Sequence, residues 1–275
     1  MQPSPTTLSS EEIKRFNDDG YVVVRGAFAH DDALAMQREW WSELAEVEGV
    51  QREDRSTWRT VARDLRRAKL SPIQTKIATP LVHGVIDDLL GSRAGFPPRH
   101  WGRAITTFPQ PGDWDVPTEL WHWDSPYAWH HETMNGLFVL GFVGSVAPGA
   151  GGTLILSGSH RLLRRQEAVL AQEGWRGDAK ARRELFYRSH PWLMALTGQA
   201  PSPANRIAAF MEAGAEIDGV PVRVVELTGE PGDMVFCHPT IVHCASPNHG
   251  VQPRFMRIAQ LITPEVQKFR GGSAP

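Results

Sequence analysis

Leu120-Trp121-His122-Trp123-Asp124 is the stretch whose reading decides the fold. In an extended strand, side chains at i and i+2 leave the same face, so His122 and Asp124 point together while Trp123 points away. Two histidines and one carboxylate can bind a divalent iron on one face and leave the opposite positions open. A second histidine, His243, lies on an apolar run far downstream, and Arg254 follows it by eleven residues. Its planar guanidinium suits bidentate pairing with a carboxylate-bearing co-substrate. Reading the stretch as a strand therefore predicts a metal site built from His122, Asp124 and His243.

Two near-matches compete with it. His30-Asp31-Asp32 heads a helical segment, where i and i+2 do not share a face, and its aspartates suit the positive end of a helix. His130-His131-Glu132 falls in a loop rich in His, Trp and Tyr. His238 is opposite in strand parity to His243 and is expected to point elsewhere. Cys237 and Cys244 lack the close ligand spacing of structural zinc sites.

Working outward from residue 120, short apolar runs are split by proline and glycine. Strands are expected over 103–108, 120–124, 136–143, 153–156, 222–227, 233–237 and 254–262, with turns such as Pro109–Gly112 and Pro231-Gly232-Asp233 between them. This density predicts a jelly-roll or barrel of two facing sheets. Toward the N-terminus the character is helical. Residues 1–8 read as a flexible tail, and Ser9-Ser10-Glu11-Glu12 is a capping box opening a helix to about Asp18. Strand Tyr21–Val24 follows, then helices over about 31–47 and 80–90. The segment of about 161–216 is helical and too long for a hairpin loop, which suits a lid or binding element.

Bulk composition agrees with one soluble globular domain spanning 1–275. Hydrophobic residues make up 41% and charged residues 22%, with a net charge of −2. Its best basic cluster, Arg161 to Arg165, is short, so a nucleic-acid partner is not expected. No apolar run approaches the length of a membrane span, and the start Met1–Pro5 lacks a signal-peptide pattern. Two cysteines are too few for a disulfide framework, and a cytoplasmic location is expected. The oligomeric state is left open.

Four segments carry a family resemblance. Trp121-His-Trp-Asp124, Gly151-Gly-Thr-Leu-Ile-Leu-Ser-Gly-Ser-His160, and Gly232-Asp-Met-Val-Phe-Cys-His-Pro-Thr-Ile-Val-His243 with Asn248 and Arg254 resemble the phytanoyl-CoA dioxygenase family, as does the opening Leu8–Arg25. The resemblance implies a non-haem iron(II), 2-oxoglutarate-dependent oxygenase. The expected fold is then mainly β with flanking helices: a double-stranded β-helix (jelly-roll, cupin-like) with an N-terminal helical layer and a helical insertion. Position by position, His122, Asp124 and His243 would hold Fe(2+), and Arg254 would pair with the distal carboxylate of 2-oxoglutarate, with Thr153 within reach of it. O2 would be the other co-substrate. Where the family often has serine two residues after the distal histidine, this chain has Ala245 followed by Ser246. Tyr127 and Trp129, in the loop after Asp124, are expected to touch the substrate, a small organic molecule hydroxylated with release of succinate and CO2. Rival readings are a metal-dependent cupin enzyme, an isomerase or hydrolase, that makes no use of 2-oxoglutarate, and a non-catalytic binding module on the same fold.

Overall fold

The computed structural model describes residues 7–58, 63–91, 101–124 and 134–262. Helix α1 (Ser10–Asp19) opens on the expected capping box. Ser9 accepts from the Glu12 amide, the Glu12 carboxylate accepts from the Ser9 amide, and Gly20 closes the helix in the left-handed conformation. Strand β1 (Tyr21–Val24) follows, then α2 (His30–Glu48) and α3 (Pro80–Leu90). The charged stretch between these two helices forms short 3-10 turns and β2 (Arg63–Asp64).

The remaining strands are β3 (Arg103–Thr107), β4 (Gly136–Phe142), β5 (Leu154–Ser157), β6 (Ala215–Ile217), β7 (Val220–Glu226), β8 (Met234–Cys237), β9 (Val242–Cys244) and β10 (Arg254–Ile262). They form a six-stranded sheet in the order β1-β8-β4-β10-β3-β2 and a four-stranded sheet in the order β6-β7-β5-β9. Helices α4 (Ser159–Gln172), α5 (Ala179–Arg188) and α6 (Pro191–Leu196), with a π-type turn at Ile207–Ala213, fill the expected insertion. Among the described residues no helix is long and apolar enough to cross a membrane.

Strand parity sorts the core into three apolar clusters. On β4, β8 and β10, Val139, Phe236 and Phe255 face α2 and α3, where they meet Trp40, Leu44 and Val82. Their neighbours Phe138, Leu140, Val235, Cys237 and Met256 face the other way and meet Ile155 of β5 between the sheets. Leu154, Leu156, Val222 and Val242 form the outer face of the smaller sheet, covered by Leu162, Phe186, Leu193 and Phe210. The layers run helix, sheet, sheet, helix. Each buried leucine- or phenylalanine-sized side chain contributes roughly 1.5–3 kcal/mol of transfer free energy.

This architecture corrects the expectation of a mainly β, jelly-roll double-stranded β-helix. The fold is mixed α/β, with more helix (39%) than strand (22%) and sheets that do not close into a barrel. β1 and β2 end one sheet and β6 and β9 the other, and no strand is shared between them. The amphipathic segments near the N-terminus and in the 159–213 insertion form full helical layers that outweigh the short strands. The strand expected over 120–124 is also corrected. Leu120 lies at φ 65°, which an extended run cannot contain, so only His122 pairs, in a single antiparallel bridge with His243.

Candidate metal centre

That bridge is what assembles the site. The His122 amide donates to the His243 carbonyl at 2.9 Å, and the His243 amide donates back at 2.7 Å. His243 sits in β9 between Val242 and Cys244, which face the outer cluster, so by alternation its ring turns into the space between the sheets. There it is 5% exposed and stacks on Phe138 of β4, with centroids 4.5 Å apart. Asp124, two residues after His122, brings its carboxylate to both rings. His122 Nε2 is 3.5 Å from one oxygen and His243 Nε2 is 3.6 Å from the other.

Both rings are held from behind in the same way. His122 Nδ1 lies 2.7 Å from the carbonyl of Leu120, and His243 Nδ1 lies 3.1 Å from that of Ile241. A carbonyl only accepts, so each Nδ1 carries a proton, and in the neutral ring each Nε2 presents a lone pair toward Asp124, whereas a protonated His122 would donate to it instead. Donor atoms of the three residues all lie within 4.8 Å of one another, and no other His/Cys/Asp/Glu group among the described residues meets this condition. Bonds of about 2.1 Å at right angles would set donors about 3 Å apart, so the set fits a first-row divalent ion with little movement.

Electrostatics keep the ligands in the forms a metal needs. Burial alone would raise the Asp124 pKa, but bonds to His122 and Gln260 and the charge of His243 outweigh it and bring it to about 2. Burial, reinforced by repulsion from His122, lowers His243 to about 4. His122 moves up, chiefly through its bond to Asp124. At neutral pH the carboxylate is ionised and the buried imidazole is neutral.

Arg254 begins β10 on the same inner face as Met256. It is 5% exposed, donating from Nη1 to the Gly151 carbonyl at 2.6 Å and from Nη2 to the Thr107 hydroxyl at 3.1 Å. Both acceptors are neutral, and Nε has no partner among the described residues. Burial lowers its pKa to about 10, so it stays charged at neutral pH. A buried cation without a carboxylate beside it is costly, and a bound anion is the partner that would satisfy it. Arg257 has the opposite parity and donates from Nε to the Trp101 carbonyl. Thr153 is buried two residues beyond Gly151. Tyr127 and Trp129, like His130-His131-Glu132, lie outside the described residues.

Other expectations find their places as well. His238 packs against His160 and Phe16, away from the triad. Cys237 and Cys244 are free and buried. His30 starts α2 in an exposed pair with Asp31. Ser246, the neighbour of Ala245, accepts from the Trp114 indole and donates to the Pro247 carbonyl, which leaves Thr107 as the hydroxyl at Arg254.

Three contributors escaped sequence reasoning. Gln260 helps to lower the Asp124 pKa from a position of the same β10 parity as Arg254, and that shared parity was the available signal. Phe138 pairs with Gln260 across β4 and β10. Ser159, in the Gly-Ser-His turn, accepts from the Val242 amide at 2.9 Å and so fixes the strand that carries His243.

Solved structures share the fold. The structure of EctD from S. alaskensis with bound Fe superposes at a TM-score of 0.51 and 16% identity, over 96% of this chain and 79% of that one. EctD with 2-oxoglutarate and 5-hydroxyectoine gives 0.51 and 15%, over 96% and 79%. The epimerase SnoN in complex with Fe3+, alpha ketoglutarate and nogalamycin RO gives 0.50 and 19%, over 92% and 82%. At these identities the likeness establishes a shared fold. Compared with curated proteins, the chain matches none. Residues 16–256 match the phytanoyl-CoA dioxygenase (PhyH) family, and with a 2-His-1-carboxylate triad consistent with iron(II)/2-oxoglutarate dioxygenase chemistry, the chain belongs to that family.

Proposed function

We propose that the protein is an iron(II)- and 2-oxoglutarate-dependent dioxygenase that hydroxylates a small organic molecule and releases succinate and CO2. The observation that carries this reading is the pairing of a buried triad with a buried guanidinium that lacks a carboxylate partner among the described residues. The iron, 2-oxoglutarate and alpha ketoglutarate named with EctD and SnoN are extended to this chain as part of the proposal.

His122, Asp124 and His243 would hold the iron. Bound there, and supplied with 2-oxoglutarate and O2, it provides the oxidising power to cleave an unactivated C–H bond. The chain's own residues do the positioning. Nδ1–H bonds to Leu120 and Ile241 aim both imidazoles, and Gln260 steadies Asp124. Arg254 would hold the distal carboxylate of 2-oxoglutarate, with the Thr107 hydroxyl bonded to Arg254 and Thr153 retained as a proposed further contact. Phe138, Leu140 and Met256 give the space between the sheets an apolar wall that keeps water from the reacting atoms. Tyr127 and Trp129 are retained as proposed substrate contacts. Two free thiols suit a reducing cytoplasm.

The test is an anaerobic titration with iron(II) and then 2-oxoglutarate, following the metal-to-ligand charge-transfer band, and then a substrate panel read by succinate release. The band should appear only when both are present and vanish in His243→Ala. A metal enzyme that makes no use of 2-oxoglutarate would show neither the band nor oxygen-dependent succinate.

A further inference from the structure

Arg254 takes its place from a turn with little rigidity of its own. One of its two partners among the described residues is the Gly151 carbonyl, at 2.6 Å, within Gly149-Ala150-Gly151-Gly152. A backbone so rich in glycine loses much conformational freedom when it is fixed. Gly149 and Gly151 both stand in the left-handed region, at φ 74° and 83°. None of these four side chains can form a hydrogen bond, so the turn has to be held from outside.

Glu226 holds it. This residue ends β7 opposite Leu154 of β5, and its carboxylate accepts from the Gly149 amide at 2.9 Å and the Gly152 amide at 3.2 Å. The fit is close: a Cβ on Gly152 would lie 2.7 Å from Glu226 Cγ and 2.6 Å from the Leu227 carbonyl. Glu226 is half-buried and has no ion-pair partner among the described residues. On its other side the turn meets Asn248, through a β-bridge at Ala150.

The Gly152 N–H and the Gly151 carbonyl belong to one peptide group. It is trans, so the two ends point in opposite directions. Glu226 accepts from one end and Arg254 donates to the other. An anion and a buried cation are thus joined through a single amide plane. Hydrogen bonds in such a chain polarise one another, which makes the carbonyl a stronger acceptor for the guanidinium.

We propose that Glu226 is a positioning residue for Arg254: through the peptide group joining Gly151 and Gly152 it fixes the guanidinium that receives the distal carboxylate of the co-substrate. The word co-substrate rests on the dioxygenase reading; the positioning does not. Nitrogen NMR of the full-length, metal-free protein decides the positioning. The guanidinium signals of Arg254, identified by their loss in R254Q, should show hindered rotation in the wild type and free rotation in E226A. Anaerobic titration of the iron(II)-loaded protein then reads the consequence in the charge-transfer band. The probes are 2-oxoglutarate and 2-oxopentanoate, in which a methyl group replaces the distal carboxylate. The wild type should prefer 2-oxoglutarate about tenfold or more. E226A should lose most of that preference, and E226Q, which keeps one acceptor oxygen, only part of it. In an R254Q background E226A should change the preference no further. Iron uptake should survive in each variant, which shows that they fold. Unchanged Arg254 signals, or a preference retained by E226A, overturn the proposal; equal weakening of both oxoacids is the retained preference that a purely structural role would give. A wild type that shows no band with either oxoacid defeats the dioxygenase reading instead, and the guanidinium signals of the metal-free protein still decide the role of Glu226.

Discussion

The phenyl ring of Phe138 lies against the imidazole of His243, 20° from parallel and 4.5 Å between centroids. One strand of the larger sheet thereby sets the ring plane of a ligand carried by the smaller sheet. Groups that orient a metal ligand typically matter 10–100-fold in affinity. Phe138→Leu keeps most of the volume and removes the flat contact. Iron(II) affinity, measured by competition with a chelator, should fall about tenfold with little change in Tm. Unchanged affinity would mean that the carbonyl of Ile241 alone holds the ring.

Arg254→Gln should spare iron binding and damage 2-oxoglutarate binding. A charge-assisted hydrogen bond contributes about 1.5–3 kcal/mol, so the KM for 2-oxoglutarate should rise tenfold or more. Succinate formation at varied 2-oxoglutarate measures it. An equal loss of iron affinity would show that the side chain shapes the metal site rather than the co-substrate site.

Stability should fall as the solution is acidified. Burial lowers the pKa of His238 to about 3, helped by repulsion from His160 and Arg164, and burial lowers His160 as well. The unfolded chain protonates His238 near pH 6.5 and the folded chain only near 3, with His160 shifted in the same direction. Across that window the unfolded state binds more protons, so the contribution is complete above 6.5 and is lost on the way down, roughly 1.4 kcal/mol per pH unit for His238, with His160 adding in the same direction. Urea unfolding at pH 7.5, 6 and 5 should show the loss, and H160Q/H238Q should flatten it. A flat wild-type profile would refute the assignment.

Gly158→Ala should destabilise the protein by more than about 1 kcal/mol. The residue has φ +79°, and an added Cβ would lie 2.4 Å from the Pro221 carbonyl. Because Ser159 next door supports β9, iron affinity should fall along with the urea midpoint. A stable variant with weak iron binding, or the reverse, would separate the turn from the metal site.

How far the chain could be read from its letters depends on the range of each interaction. The Ser9–Glu12 cap was legible because all its partners lie within one helical turn. His122, Asp124 and His243 were legible because their chemistry is specific even before the bridge between them is known. Leu120 was misread because nothing local marks a leucine for positive φ; the reason lies in the carbonyl that must reach His122. Barrel closure was expected from strand density, yet closure depends on which edges pair. Gln260 and Thr107 were passed over for the same reason: Gln260 acts through its register with Phe138, and Thr107 through its register with Arg254.

Reciprocal main-chain hydrogen bonds between His122 and His243 have a consequence for biogenesis. The two imidazoles come from distant parts of the chain and become neighbours only when the long-range topology is complete, yet the contact that joins them needs no ion. Folding should therefore precede metallation: the apoprotein emerges with its coordination cage already shaped, and iron is acquired by a finished receptor rather than serving as the nucleus around which the polypeptide condenses.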